Sequence, residues 1–186
     1  MHLTSNDLEK LQQVFAEKHF DYQMELVDGK ITVMGPSDYT SDEIGSRLIT
    51  FLNMWVMPRA LGRVTGAAAG FILPNTNEDV RAPDVSFVIA ERLRRSPRGF
   101  ADLIPDLMVE IKSKTDRIKP LETKIQQFLS LGTQVGMLID PDKEIVTIYR
   151  QGAQAKMLTN KDMLTIPDLL PDWGVAVTEL WPPVFD

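Results

Sequence analysis

The sequence predicts a mixed α/β domain in which short strands alternate with amphipathic helices. The chain has 186 residues, of which 44% are hydrophobic, so it is long enough for one domain with a substantial core. Apolar residues recur at helical spacing in three segments, and β-prone runs bounded by Gly and Pro lie between them. No repeat, low-complexity tract or linker divides the chain, so we expect residues 1–186 to form a single domain.

The N-terminal region predicts a helix followed by a hairpin. Thr4 or Ser5 can cap a helix that continues to about Lys18. Two β-prone runs then flank Asp28-Gly29, within residues 22–34. A type I′ turn needs positive φ at both central residues, and Asp-Gly supplies them. The pattern therefore predicts a tight antiparallel hairpin.

The next region predicts a long helix and a second hairpin. Apolar residues at helical spacing favour a helix from about Asp38 to Met57, which Pro58 ends. The run from Gly62 to Pro74 is typical of a hairpin, with Gly66 and Gly70 near its turn.

The rest of the chain predicts further strands, one helix and an irregular end. A polar, basic loop joins the first two strands, and after residue 149 the pattern indicates only a short strand at Val175–Val177. The predicted elements are strands at Val85–Ile89, Leu107–Lys112, Val135–Ile139 and Glu144–Tyr149, and a helix at Ile118–Leu131.

Composition limits the cellular setting and the possible metals. The chain has no cysteine, which excludes disulfides and thiolate metal sites and favours a cytoplasmic location. The N-terminal MHLTSNDLEK lacks the basic and apolar regions of a signal peptide. No run approaches the roughly 18 apolar residues of a membrane span, so we expect no membrane partner.

Charge is unevenly distributed along the chain. The net charge of −6 argues mildly against a nucleic-acid partner, because phosphate contacts need Lys and Arg. Residues 81–124, however, carry ten basic and seven acidic residues, including Arg92, Arg94, Arg95 and Arg98. This cluster is either a phosphate-binding surface or chance clustering in a solvated loop.

Glu110 and Lys112 form the centre of the candidate site. Strand side chains alternate between faces, so Glu110 and Lys112 share one face and Val109 and Ile111 share the other. The apolar pair is expected to pack against a helix. A same-strand ion pair on a solvated face is the simplest alternative, but Leu107 to Ile111 is too apolar for a typical exposed edge strand.

Asp84 supplies a second carboxylate. It begins the preceding strand, after Pro83, and adjacent strands would place it beside Glu110. Two neighbouring carboxylates repel each other unless a cation lies between them. Hard oxygen ligands without Cys or clustered His suit Mg²⁺ or Mn²⁺. Such a centre serves phosphate chemistry, in which Lys112 could assist an attacking water.

Several stretches together resemble a known family. Pro83-Asp84 followed by Glu110-Ile111-Lys112 resembles the PD-(D/E)XK nuclease superfamily, and the wider pattern resembles the Uma-type family of restriction endonucleases within it. The stretches that carry the resemblance are residues 25–31 (ELVDGKI), 34–37 (MGPS), 82–88 (APDVSFV), 105–113 (PDLMVEIKS) and 138–141 (LIDP).

The resemblance implies a fold and a set of site residues. It implies a restriction-endonuclease-like core, with a mixed central β-sheet flanked by helices, in addition to the N-terminal helix and hairpin. Asp84, Glu110 and the carbonyl of Ile111 would bind the metal, Glu25 would be a further metal or water ligand, and Lys112 would be the catalytic lysine.

Two of the implied residues have alternatives. Glu25 interrupts an apolar strand, which fits a site residue but also fits an outward-facing position. Lys124 matches a lysine on the family's helix after the active-site strand, where it could contact a phosphate or simply be solvated.

These expectations favour a Mg²⁺- or Mn²⁺-dependent endonuclease that acts on DNA and, like many nucleases of the superfamily, works as a homodimer. The arginines at 92, 94, 95 and 98 would grip the DNA backbone. One alternative is a catalytically silent module of the same fold that binds nucleic acid or protein. Another is a structural domain in which the charged cluster is a surface ion-pair network.

Overall fold

A six-stranded mixed sheet lies at the centre of the computed structural model, which describes residues 3–20, 22–75 and 78–185. None of the helices within these ranges is long and apolar enough to cross a bilayer. In chain order the elements are α1 (Ser5–Glu17), β1 (Gln23–Val27), β2 (Lys30–Met34), α2 (Tyr39–Val56), β3 (Gly62–Gly66), β4 (Phe71–Ile72), β5 (Val80–Arg81), β6 (Val85–Ile89), β7 (Leu107–Ile111), α3 (Ile118–Ser130), β8 (Val135–Asp140), β9 (Ile145–Tyr149), β10 (Lys156–Leu158), β11 (Met163–Thr165), β12 (Gly174–Ala176) and a 3₁₀ turn (Val177–Leu180).

Helices cover both faces of the central sheet, as the sequence predicts. Its strand order is β10-β9-β8-β7-β6-β3, with β7 and β8 parallel and the other neighbours antiparallel. Val109 and Ile111 face α2, whereas Met108 and Leu138 face α3. Strand alternation in β7 thus directs the residue between Val109 and Ile111 towards α3.

The N-terminal hairpin belongs to a second, four-stranded sheet of order β2-β1-β5-β4. Asp28 and Gly29 have φ angles of 50° and 68°, which confirms the predicted turn. Helix α1 packs on this sheet through Leu8, which is fully buried in a cluster with Leu26 and Val80.

The hairpin predicted for Gly62–Pro74 is wrong, because its two strands lie in different sheets. β3 pairs with β6 at the edge of the central sheet, and β4 pairs with β5 in the second sheet. The long apolar β6 offers β3 five paired positions, so non-local pairing replaces the local turn. Gly70 is needed there, because a Cβ would lie 2.6 Å from the ring of Phe100.

The C-terminal region is more ordered than the sequence indicates. It forms β10, the β11–β12 pair and the 3₁₀ turn, where the pattern predicted one short strand at Val175–Val177. Leu164, Leu170 and Leu180 are fully buried in the cluster that also contains the α2 side of the central sheet. The spacing of these leucines matches neither a helix nor a strand, so the sequence pattern did not predict the additional elements of this region.

Asp38 fixes the start of α2 next to the end of β7. Its Oδ1 accepts a hydrogen bond from Ser41 N at 3.0 Å, and its Oδ2 accepts one from Lys114 N at 3.1 Å. The bond from Ser41 N–H is the main reason that the pKa of Asp38 lies below its ordinary value. The side chain therefore caps the helix and ties it to the loop that follows β7.

Replacing Asp38 by Ala should lower the free energy of unfolding by about 1 kcal/mol, because one orphan N–H of the helix loses its acceptor. Asp38→Asn should retain most of this contribution, since Asn caps equally well. Urea unfolding of the three proteins at pH 7 measures the difference.

The capping contribution should also depend on pH. The pKa of Asp38 is lower in the folded protein than its ordinary value of 3.8. The stabilisation that comes from the ionised carboxylate is therefore fully present above pH 3.8 and is lost as the pH falls through the lowered pKa. Equal stability of Asp38→Ala and wild type at pH 7 would show that the cap is not formed.

Candidate metal centre

Asp84 and Glu110 lie side by side at one end of the central sheet. Antiparallel pairing of Val85 with Val109 continues by one residue to bring Asp84 opposite Glu110. Asp84 Oδ2 accepts a hydrogen bond from Ile111 N at 2.7 Å, which fixes the carboxylate against β7. Burial raises the pKa of Asp84, although this hydrogen bond acts in the opposite direction. The juxtaposition of the two acids was predicted.

Glu110 is a buried carboxylate that lacks sufficient compensation. It is only 4% exposed, and its Oε1 has no hydrogen-bond partner within the described residues. Its one cationic neighbour among the described residues is Lys124, whose Nζ lies 3.0 Å from Oε1 and forms an ion pair with it. Burial raises the pKa of Glu110 to about 8 even though Lys124 favours the charged form. A further cation at this carboxylate would therefore stabilise its ionised form.

Glu25 joins the cluster from the second sheet. Its Oε1 accepts a hydrogen bond from Ala82 N at 2.7 Å and lies 3.0 Å from Lys124 Nζ. Its Oε2 accepts a hydrogen bond from Arg81 Nε at 3.0 Å. The outward-facing alternative for Glu25 is wrong, since the residue is 4% exposed. Both of its oxygens already have cationic or N–H partners.

Lys124 reaches from α3 into the middle of the cluster. It donates to the carbonyl of Ala82 at 2.9 Å and lies between the carboxylates of Glu25 and Glu110. Burial acts to lower the pKa of Lys124, but the charges of Glu110 and Glu25 outweigh it and raise the pKa. The alternative of a solvated helix residue is therefore wrong, because the side chain is only 10% exposed.

Lys112 lies just beyond the end of β7 and pairs away from Glu110. Its Nζ donates to Asp142 Oδ2 at 2.6 Å and to the carbonyl of Ser113 at 3.1 Å. The hydrogen bond to Asp142 raises the pKa of Lys112. No ion pair joins Glu110 to Lys112 in the part of the chain that the structure describes, so the same-strand pair is wrong.

Sequence reasoning missed the roles of Asp142 and Arg81. Asp142 follows β8, and the carboxyl ends of the parallel strands β7 and β8 meet at one edge of the sheet. Recognising that pairing would have placed Asp142 near Lys112. Arg81 carries no such signal, because its partner Glu25 lies 56 positions away in the chain.

A small cavity gives access to Asp84. It has a volume of about 100 Å³ and lies between the start of α2 and the turn at Gly66 and Ala67, with Ser41 and Ile111 also on its walls. The larger cleft of about 630 Å³ contains none of the carboxylates of the cluster. Arg98 lines that larger cleft.

The loop between β6 and β7 carries Arg92, Arg94, Arg95 and Arg98 and is called the arginine loop here. It begins at the end of the central sheet opposite to the end that holds Asp84 and Glu110. Arg92 forms an ion pair with the buried Asp106 at 2.6 Å, and Asp106 immediately precedes β7. Since a strand rises about 3.3 Å per residue, Asp106 lies roughly 13 Å along β7 from Glu110. Arg94, Arg95 and Arg98 are exposed. Arg92 thus has a structural partner, and contact of any of the four with phosphate stays a prediction.

The residues present fit a divalent cation with hard oxygen ligands. Asp84 and Glu110 are neighbouring carboxylates, and Glu110 Oε1 is a buried acceptor without a hydrogen-bond partner among the described residues. No group of three or more His, Cys, Asp and Glu side chains is arranged around a common metal position in those residues. Mg²⁺ commonly takes one or two carboxylates and completes its shell with other oxygens, which suits this pair.

Comparison with known proteins identifies the Uma-type family, to which the sequence stretches quoted above already show a resemblance. The sequence profile of the Uma2 family, described as "Putative restriction endonuclease", matches residues 6–178. No curated protein matches the chain.

Solved structures that are similar to this one include the following two. One is a crystal structure described as a putative nuclease belonging to DUF820 from Anabaena variabilis, with a TM-score of 0.75 and 23% identity, covering 84% of this chain and 88% of that chain. It shows that the fold is shared, which confirms the predicted restriction-endonuclease-like core. The other is a DrdV–DNA complex with a TM-score of 0.31 and 11% identity, covering 63% of this chain and 86% of that chain. A TM-score this low does not indicate a shared fold.

Replacing Glu25 by Ala should lower the free energy of unfolding by roughly 3 kcal/mol, because Arg81 and Lys124 would lose a shared buried partner. The exposed Glu91 offers a matched control, and Glu91→Ala should change stability by less than about 0.5 kcal/mol. Urea unfolding of metal-free protein measures both. Similar values for the two variants would mean that the buried network does not stabilise the fold.

Proposed function

The chain belongs to the Uma2 family, and on that premise we propose that it is a Mg²⁺- or Mn²⁺-dependent endonuclease that hydrolyses phosphodiester bonds of DNA. The observation that carries the proposal is the buried carboxylate of Glu110 next to Asp84, which its ion pair with Lys124 compensates only in part, with Lys112 two residues along the chain. On this proposal a divalent cation binds between the two carboxylates, and the ammonium group of Lys112 acts beside it.

Asp84 and Glu110, with the carbonyl of Ile111, would hold the metal ion. When bound, the ion would polarise a phosphoryl oxygen and stabilise the leaving oxygen. Ile111 N–H holds one oxygen of Asp84, so the carboxylate is fixed before any ligand arrives. We assign Glu25 a supporting role, because its oxygens are occupied by Ala82, Arg81 and Lys124.

Lys112 would act on the attacking water. Its ammonium group can hold the water in line with the phosphorus and offset the negative charge that develops as the water loses a proton. The water oxygen forms a bond to phosphorus while the bond from phosphorus to the 3′ oxygen breaks, which leaves a 5′-phosphate. The proton lost by the water passes to solvent, and the 3′ oxygen takes a proton from solvent and leaves as a hydroxyl group. Asp142 positions the lysine, since it holds Nζ at 2.6 Å.

DNA is the proposed substrate because exposed cations are available beyond the centre. Arg94, Arg95 and Arg98 are exposed on the loop after β6, and no ion pair holds them within the described residues. Their loop could contact a backbone phosphate about one strand length from the cleaved bond. Cleavage of both strands would require two centres, so we also propose that the active form is a homodimer.

A catalytically silent module of the same fold is the second candidate. The observation that favours it is the short Lys112–Asp142 pair, which holds the ammonium group of the lysine on a carboxylate. Such a module would bind DNA in a salt-dependent way, or bind a protein, without cleaving DNA in Mg²⁺ or Mn²⁺.

Lys112→Met should reduce cleavage by roughly 10²–10³-fold, because the attacking water loses its charged partner. Binding of Mn²⁺ should be unchanged, since Lys112 is not a ligand. The assay follows supercoiled and single-stranded DNA with Mg²⁺ or Mn²⁺. Lys143→Met is the matched control, because Lys143 lies in the adjacent turn and is exposed.

Asp84→Asn should lose both cleavage and Mn²⁺ binding. Cleavage by Lys112→Met at the rate of wild type would refute the assigned mechanism. DNA binding by wild type without cleavage in either metal would instead support the silent module.

The arginine loop should contribute to DNA affinity by neutralising backbone phosphates. Replacing Arg94 and Arg98 together by Gln should weaken DNA binding and reduce the slope of log K against log salt by about 0.9 for each phosphate that is no longer neutralised. A Lys156→Gln/Lys161→Gln double variant removes the same charge from exposed residues beyond β9, so it is the control. Equal reductions of affinity in the two double variants would indicate a general charge effect and no specific role for the loop.

A further inference from the structure

Lys124 fills the space between two of the three carboxylates in the centre. Its Nζ lies 3.0 Å from Glu25 Oε1 and 3.0 Å from Glu110 Oε1, and it donates to Ala82 O at 2.9 Å. This ammonium group is therefore a fixed monovalent cation within the cluster. On the other side of Glu110, Asp84 has no lysine or arginine in hydrogen-bond or ion-pair contact among the described residues.

We propose that the centre takes a single divalent cation, between Asp84 and Glu110, and that Lys124 occupies the place a second one would need. The proposal rests on the metal-dependent function argued above and defines how many ions that function uses. It makes Lys124 a positioning residue that holds the Glu110 carboxylate, and it makes Glu25 the anchor of Lys124.

The contacts of Glu25 leave no oxygen for a second ion. Oε2 is bound to Arg81, and Oε1 is shared by Ala82 N and Lys124. A second ion would have to displace the ammonium group of Lys124 from both acids. Lys124 is tethered at Ala82 O and only 10% exposed, so its departure would break three contacts of a buried ammonium group and take from Glu110 its cationic neighbour.

The charge of the cluster also matches one ion. With every group ionised, three carboxylates face two fixed cations, Arg81 and Lys124, and one net negative charge remains. One divalent ion would turn this into a single positive charge, which is suited to a phosphate. A second would add two further positive charges to a buried site, and close like charges are costly at low dielectric.

A single ion has a consequence for the water. Where a nuclease binds two ions, one of them can generate the nucleophile and the other can stabilise the leaving oxygen. With one ion on Asp84 and Glu110, the task of holding and activating the water falls to Lys112. The ammonium group donates to Asp142 and to the carbonyl of Ser113, which leaves its third N–H for the water.

The experiment is a titration of the 186-residue chain with Mn²⁺, in which electron paramagnetic resonance measures the concentration of the free ion. Sites outside the centre are subtracted with the Asp84→Asn/Glu110→Gln double variant. Wild type should then bind one Mn²⁺. Lys124→Gln should bind two, because Glu25 and Glu110 become available as ligands, and its melting temperature should rise more with Mn²⁺ than that of wild type.

Two further variants isolate the cause. Lys124→Gln/Glu25→Gln should return to one Mn²⁺, because the second site loses its charged ligand. Lys119→Gln removes a lysine from an exposed position of the same helix and should also bind one. If Lys124→Gln does not fold, the number of Mn²⁺ ions bound by wild type can still be compared with the number bound by the Asp84→Asn/Glu110→Gln variant. The difference is one if the centre takes a single ion and two if it takes a pair.

The outcomes separate this proposal from the proposed function. Two ions bound by the carboxylates of wild type would overturn the single-ion centre while the nuclease assignment stands. One ion in folded Lys124→Gln would show that Lys124 does not exclude a second. No Mn²⁺ bound by wild type above the background of the Asp84→Asn/Glu110→Gln variant would overturn both.

Discussion

The parallel pairing of β7 with β8 is the constraint on which the candidate centre depends. Parallel neighbours cannot be joined by a tight turn, so the chain must cross over a face of the sheet, and α3 is that crossover. Met108 and Leu138 provide the apolar surface that the helix covers. Glu110 alternates onto the same face as Met108, so the helix necessarily approaches the carboxylate, and Lys124 meets it there. The same pairing brings the ends of β7 and β8 together and sets Asp142 beside Lys112.

Burial of like charges is the cost of this arrangement, and the fold offsets it only in part. Arg81 and Lys124 compensate Glu25 and one side of Glu110, but Asp84 receives only an N–H donor among the described residues. The raised pKa values of Asp84 and Glu110 follow from burial first. An uncompensated buried charge is a weakness for stability but an advantage for function, because it gives a cation a favourable place to bind.

Local features were predictable from the sequence, whereas long-range partners were not. The Asp28-Gly29 turn and the faces of β7 depend on neighbours in the chain or on simple alternation, and Asp84 lies beside Glu110 because two consecutive strands pair; the structure has all three. The pairing of β3 with β6 was missed because a distant apolar strand outcompeted the nearby one. Lys124 was ambiguous because it borders the buried face of α3, and its contacts with Glu25 and Glu110, which lie on other elements, show that it points inward.

Glu25 reaches the centre from a different sheet, and this links the N-terminal hairpin to the chemistry. Arg81 lies in β5, which pairs with β1 next to Leu26, and the chain then passes through Ala82 to Asp84. Glu25 binds the N–H of Ala82 and the side chain of Arg81, so it fixes the segment that delivers Asp84. The hairpin is thus a part of the site, because the residue that anchors Lys124 also holds the backbone before the first proposed metal ligand. A change that loosens β1 would act on both ends of the cation site at once, through Lys124 on the side of Glu110 and through Ala82 on the side of Asp84.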